Sequence, residues 1–208
     1  MTRRVVWTGL AALALLSCGG EQGQTVLLRS DAGPARVVLG VGVGYAHNAA
    51  GALAASVTYA EAAATPIFPV DDATEQQRVA AYAVSSEQDR LLQQRKAAIK
   101  SYDSSYGVVA AHASGQRAGA RLYPLTVKMQ SYTDSDATVS LWASLVEYSP
   151  SIFRALYLTE TVALRWESGD WKLVPSRTSG TLGPVPSVTQ DQTISQPPNV
   201  VDWQSWGR

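Results

Sequence analysis

The first apolar block of the chain, Val5 to Leu16, lies directly behind the basic pair Arg3-Arg4 and stops at Ser17-Cys18-Gly19-Gly20. A run of about twelve apolar and small residues fits the 7–15 of a secretory h-region, whereas a spanning helix needs ~20. Residues 19–43 are rich in glycine and lack helical periodicity, which predicts a tether ending in an extended lead-in. From Asn48 the pattern changes. Ala50, Leu53, Ala54, Val57, Ala60 and Ala64 recur at three- and four-residue steps, predicting a helix capped by Asn48 and stopped by Pro66. Ile67-Phe68-Pro69-Val70 reads as a connector. Thr74 with Gln77 has capping-box spacing and predicts a second helix through Val79, Tyr82 and Ala83. Ser86 with Asp89 repeats that spacing ahead of a third, with Leu91, Leu92, Ala98, Ile99, Tyr102 and Tyr106 on its buried stripe. The small-residue stretch 107–119 is expected to be a loop.

Beyond Gly119 the period becomes two. Tyr123, Leu125, Val127 and Met129 are predicted on one face of a strand, with Thr126, Lys128 and Gln130 on the other. Thr133-Asp134-Ser135-Asp136 has turn chemistry. The next strand places Val139, Leu141, Ala143 and Leu145 opposite Trp142, Val146 and Tyr148. A third, from about Ala155 to Trp166, carries Leu156, Leu158, Val162, Leu164 and Trp166 on one face with Glu160 among them, and Ser168-Gly169-Asp170 turns it back into Trp171-Lys172-Leu173-Val174. The tail holds Pro184, Pro186, Pro197 and Pro198 among many Gln, Ser and Thr, and ends with Trp203 and Trp206. Such a segment is expected to be flexible or wrapped on the domain.

Composition narrows the function classes. The 208 residues are 46% hydrophobic and 16% charged, against ~25% charged in an average globular chain. Seventeen Lys and Arg balance seventeen Asp and Glu without a concentrated basic face, which disfavours a nucleic-acid partner. Two histidines and one cysteine are too few for most metal sites, so neither metal nor cofactor is expected. Without Arg3 and Arg4 the seventeen basic residues become fifteen, and the mature chain turns mildly acidic.

Leu15-Leu16-Ser17-Cys18 resembles the lipobox of bacterial lipoproteins, in which a Leu three residues before the Cys and a small residue directly before it direct diacylglyceryl transfer to the thiol. Cys18 is the chain's single cysteine, so it has no internal disulfide partner, and lipidation would consume a thiol otherwise exposed to an oxidising compartment. The resulting plan is a signal peptide at 1–17, a lipidated Cys18 and flexible tether over 18–43, a folded domain at 44–180 and a Pro-rich tail at 181–208. The alternative at this terminus is an ordinary cleaved signal peptide.

Three helices followed by long antiparallel strands, the last two joined by Trp166-Glu167-Ser168-Gly169-Asp170-Trp171-Lys172-Leu173-Val174, resemble the nuclear-transport-factor-2-like superfamily. That resemblance implies an α+β fold, N-terminal helices packed on a curved antiparallel sheet that forms a cone. Gly40-Val41-Gly42-Val43-Gly44-Tyr45-Ala46-His47 also resembles the start of a domain of actinobacterial exported proteins, some associated with conjugation. Envelope-anchored members of the superfamily are docking modules of conjugation or secretion assemblies; soluble members include isomerases and cyclases. The expectation here is a non-enzymatic envelope lipoprotein held on the membrane by its lipid and bound to protein partners, with homo-oligomerisation left open. A small-molecule-binding or isomerase-like protein is the alternative.

No catalytic residue is assigned, because no Gly-x-Ser-x-Gly elbow, P-loop or zinc-type helix motif occurs. The candidates for lining a pocket are Tyr102, Asp103, Tyr123, Trp142, Tyr148 and Glu160. Asp103 with Tyr102 could mimic an acid–tyrosine pair, and Glu160 is either a carboxylate inside the cone or an edge residue. His47 is expected to cap or bond locally and His112 to be solvated. Trp166 and Trp171 are expected to bracket the last hairpin and close one end of the cone.

Overall fold

Asn48 starts the central element. Its side chain accepts from Gly51 N at 2.8 Å and opens helix α1 (Ala49–Ala64). Buried residues lie all round α1, as expected of a helix enclosed by other elements. Its alanines let those elements approach closely. A Cβ on Gly51 would stand 1.9 Å from the Ala46 carbonyl oxygen, so only glycine fits where the incoming chain crosses the first turn.

The computed structural model describes residues 32–65 and 71–175 and the backbone of 204–205. Cys18, the 67–70 connector, Trp203, Trp206 and the Pro-rich stretch lie outside the described residues. After α1 come α2 (Asp72–Tyr82), a 3-10 turn (Ser85–Glu87), α3 (Gln88–Tyr106) and the short α4 (Val108–Ala113). The α2 cap is Asp71, accepting from Thr74 N at 2.8 Å, rather than Thr74 with Gln77. The Ser86 spacing is absorbed by the 3-10 turn, and no side chain caps α3. Gly107 ends α3 at φ +62, a conformation that suits glycine, and the expected loop begins with α4 instead.

The carboxyl end of α1 is held by buried charge. Arg95 donates to the Ala63 carbonyl and, at 2.6 Å, to Glu75, while Arg78 donates to the Thr65 carbonyl at 3.0 Å. Two guanidinium groups thereby satisfy carbonyls that the helix end leaves open, and α1, α2 and α3 become one layer.

The second layer is an open antiparallel sheet. Strands β3 (Gly119–Tyr132), β4 (Asp136–Ser149), β5 (Ile152–Glu167) and β6 (Asp170–Val174) follow in chain order, and β7 (Gln204–Ser205) adds to the free edge of β3, giving the order β6-β5-β4-β3-β7. The fold is α+β, helices on a curved antiparallel sheet, as expected. Val139, Leu141, Ala143 and Leu145 bury their side chains toward the helices together with Val162 and Leu164, as the alternation predicts. The face of β3 differs. Its register shifts between Pro124 and Thr126, so Ala120, Leu122 and Pro124 point inward before the bulge and Val127 after it. Tyr123 therefore lies on the opposite face from Val127, because one extra residue inverts a period of two.

The segment 32–43 also differs from the expected tether. It forms a hairpin of β1 (Arg36–Val38) and β2 (Val41–Val43), with Ala32, Val41 and Val43 in the core. Short strands among glycines leave too few alternating positions for the pattern to register.

Candidate functional site

The last hairpin gathers the densest long-range bonding. Asp170 is buried, and its carboxylate accepts from Gly44 N and Tyr45 N, both at 2.9 Å, from the Tyr59 hydroxyl at 3.2 Å and from Lys172 Nζ at 3.3 Å. Beside the carboxylate, burial and the Asp170 charge push the Tyr59 phenol up, and burial pushes Tyr45 up to about 12, so both remain proton donors. Trp171 is fully buried and donates through Nε1 to the Ala46 carbonyl at 3.0 Å. Trp166 pairs with it across the hairpin, ring centroids 5.4 Å apart, and closes this end of the sheet as predicted. His47 stacks on Trp166 at 3.9 Å, with its Nε2 2.5 Å from the Asp134 carbonyl oxygen, a structural role made through distant partners and not the local bond or cap expected of it. Asp170 is the residue that sequence reasoning treated only as part of a turn. Beside it lies a polar cleft of about 450 Å³, bounded among others by Arg36, Gln88, Glu167 and Lys172.

The opposite end of the sheet, under the β4–β5 turn, holds a second cluster. Tyr102 is buried and donates to the Gly119 carbonyl at 2.5 Å. Its ring lies 4.6 Å from that of Tyr106. Arg154 donates to the buried carboxylate of Glu147 through Nε and to the Tyr106 hydroxyl at 2.6 Å through a terminal nitrogen. Burial raises both tyrosines, and the second Glu147 oxygen, Oε1, has no hydrogen-bond partner among the described residues. Tyr148 lies here too, its hydroxyl over Gly119, where a Cβ would come within 3.0 Å of it. Asp103 accepts from Val109 N at 2.7 Å and fixes the start of α4 rather than pairing with Tyr102. His112 is exposed, its Nε2 2.7 Å from the Ala118 carbonyl oxygen.

Glu160 stands apart from both clusters. It is on the inner face of β5, between Leu158 and Val162 and opposite Leu141, and it is buried. Desolvation pushes its carboxyl up to about 8, and Oε2 has no hydrogen-bond partner among the described residues. It is thus an interior carboxyl group that carries its proton at neutral pH.

The outer face of the sheet is aromatic. Tyr123, Ser144 and Tyr157 stand in one cross-strand row and Thr126, Trp142 and Thr159 in the next. Trp142 and Tyr157 stack with centroids 6.0 Å apart, and the Arg121 guanidinium lies 5.1 Å from the Tyr123 ring centre. The six pocket candidates therefore divide among three places. Tyr102, Asp103 and Tyr148 gather at the β4–β5 end, Tyr123 and Trp142 on the outer face, and Glu160 in the core. Glu147 and Arg154 join the first group without having been singled out, although a carboxylate and an arginine flanking a predicted turn were a usable cross-strand signal.

Among the described residues, no three His, Cys, Asp or Glu side chains come together as a metal site, and no helix is long and apolar enough to cross a membrane. Neither the curated proteins nor the solved structures give a significant match. The family profile of a domain of unknown function, DUF8175, matches residues 21–196, which takes in the β1–β2 hairpin, all the helices, strands β3 to β6 and the start of the Pro-rich stretch. The chain belongs to the DUF8175 family.

Proposed function

We propose that this chain is a non-enzymatic cell-envelope lipoprotein whose domain, a cone of the nuclear-transport-factor-2-like kind, docks a protein partner of an envelope assembly such as a conjugation or secretion apparatus. The observation that carries the docking role is Phe153. It is 79% exposed on the β4–β5 hairpin, and Val109, in the first turn of α4, is 49% exposed. Large apolar side chains held out on a braced hairpin suit burial against a partner. The bracing comes from the neighbouring Arg154, bonded to Glu147 and Tyr106. Position supports the reading as well. Ala32, the first of the described residues, lies beside Trp171 at the other end of the sheet, where its carbonyl accepts from Ala46 N at 2.9 Å. A tether from a lipidated Cys18 would thus join the end away from Phe153.

The anchor is tested by Cys18→Ser. The variant should leave the membrane fraction or accumulate as an uncleaved precursor, and the parent's N-terminal peptide should carry diacylglyceryl and acyl mass at Cys18. A variant that fractionates like the parent, with no acyl group found on the parent, overturns the anchor. A second reading, small-molecule binding or isomerase-like chemistry inside the cone, is favoured by Glu160 and its unpartnered oxygen. An apolar ligand that shifts the Glu160 titration on binding would support it.

A further inference from the structure

The tip of the β1–β2 hairpin carries strain that the packing of the domain does not offset. Leu39 and Gly40 join Val38 to Val41 with φ of +48 and +80, so both central residues of this two-residue turn are left-handed. Such a turn favours Asn-Gly, because a leucine is strained at positive φ. Among the described residues, Leu39 and Ser168 are the non-glycine residues in that conformation, and Ser168 is polar. Leu39 is nevertheless 39% exposed, and Val37, two residues before it, is 66% exposed. Strain kept at an exposed apolar tip points to a contact made outside the domain.

Charge and position indicate which contact. Arg36 directly precedes Val37, is exposed on the rim of the polar cleft and forms no ion pair among the described residues. From Ala32 to Ala60 it is the one Asp, Glu, Lys or Arg in the sequence. The carboxylates that share the cleft are engaged on other donors. Glu167 accepts from Ser85 N at 2.9 Å, and Asp170 from Gly44, Tyr45, Tyr59 and Lys172. Two apolar side chains beside an uncommitted guanidinium suit the boundary between anionic headgroups and acyl chains.

The base of the hairpin is fixed to the domain through Gly44 and Tyr45 on Asp170, at the end of the sheet away from Phe153. Residues 19–31 separate Cys18 from Ala32. At ~3.6 Å per residue at most, a lipidated Cys18 would hold Ala32 within about 50 Å of the bilayer. A contact too weak to recruit a free chain is enough to orient one held at that effective concentration.

We infer that the β1–β2 hairpin rests on the membrane, with Val37 and Leu39 entering the interface between headgroups and acyl chains and Arg36 pairing with anionic headgroups. The inference rests on the lipid anchor proposed above. It adds an orientation, in which the hairpin end faces the bilayer and the Phe153 end faces away from it.

The test uses the full mature chain purified with its lipid, in which acylation leaves Cys18 without a thiol. A cysteine in place of Val37, or of Phe153 for comparison, is labelled with an NBD fluorophore. Each protein is reconstituted into vesicles of phosphatidylcholine and phosphatidylglycerol in equal parts, with and without doxyl-labelled lipid. The doxyl lipid should quench position 37 several-fold more than position 153. Quenching at 37 should fall several-fold with Leu39→Asn, and again when phosphatidylcholine replaces phosphatidylglycerol. Asparagine suits the left-handed turn, so Leu39→Asn should melt no lower than the parent, whereas replacing a leucine that only packs on the domain would lower the midpoint. Quenching at 37 no greater than at 153, quenching unchanged by either replacement, or a lowered midpoint would each overturn the inference. On a chain whose Cys18 peptide carries acyl mass, those outcomes leave the anchor standing; a chain without that mass overturns the anchor and the inference together.

Discussion

Replacing Glu160 with glutamine keeps the shape of the side chain and removes its ability to ionise. In the folded chain the carboxyl titrates at about 8 against an ordinary value of 4.5, because burial penalises the charged form. Each pK unit is ~1.4 kcal/mol, so ionising this group inside the fold costs on the order of 5 kcal/mol, comparable with the whole stability of a marginal domain. The sign follows from proton binding. The folded state holds the proton more tightly than the unfolded state, so this stabilisation is complete below pH ~4.5 and is lost progressively as pH rises toward ~8. Between pH 5 and pH 8 the parent should lose about 3–4 kcal/mol that Glu160→Gln does not lose. At pH 5 the two should agree within about 1 kcal/mol, since a neutral acid and an amide are being compared. Urea unfolding of both proteins at half-unit steps from pH 4.5 to 9 measures the difference directly. A parent-minus-variant difference that stays flat over this range would refute a neutral buried Glu160.

Other consequences are local, and those at buried positions are larger than a surface change would give. Trp171→Ala removes a fully buried ring and should cost ~3–5 kcal/mol in denaturant unfolding, with the Ala46 carbonyl also losing its donor. Asp170→Ala strands the amides of Gly44 and Tyr45 and the Tyr59 hydroxyl, and at ~1–3 kcal/mol for each buried unpaired group it should unfold the domain or reduce its melting midpoint steeply. Gly51→Ala forces a Cβ against the Ala46 carbonyl oxygen and should destabilise in spite of alanine's better helix propensity, which a thermal melt would show. Phe153→Asp, on an exposed position, should leave the unfolding free energy in urea within about 0.5 kcal/mol of the parent's, as expected for a side chain that the domain does not itself pack.

What was readable in the sequence was what depends on local period and local caps. Asn48 and the three- and four-residue steps after it identify α1, and strict alternation from Val139 to Leu145 identifies the buried face of β4. The place of Glu160 between Leu158 and Val162 left the cone interior and an edge both open, and the fold puts it inside, opposite Leu141. Features set by distant parts of the chain were not readable. The bulge before Thr126 inverted the face of Tyr123, and nothing near Tyr123 announces it except Pro124, which removes an amide donor from the strand. Asp170 read as a turn residue because its partners, Gly44 and Tyr45, are more than a hundred positions away. Ser86 and Thr74 have cap spacing, but Asp71 and the 3-10 turn compete for the same helix starts and win. The pocket candidates share residue type and not position, because a curved two-faced sheet with a bulge distributes such residues among separate places.

The central claim, an anchored docking module that engages its partner through the end away from the membrane tether, is tested most directly in the intact membrane. The full-length chain, with p-benzoylphenylalanine in place of Ile152 beside Phe153, is irradiated in its own cells and the adducts are sized and sequenced. The account predicts one discrete adduct with an envelope protein, lost when Phe153→Asp is added and lost when Cys18→Ser releases the chain. An adduct that survives both changes, or the absence of any adduct while the chain is correctly anchored, would contradict it.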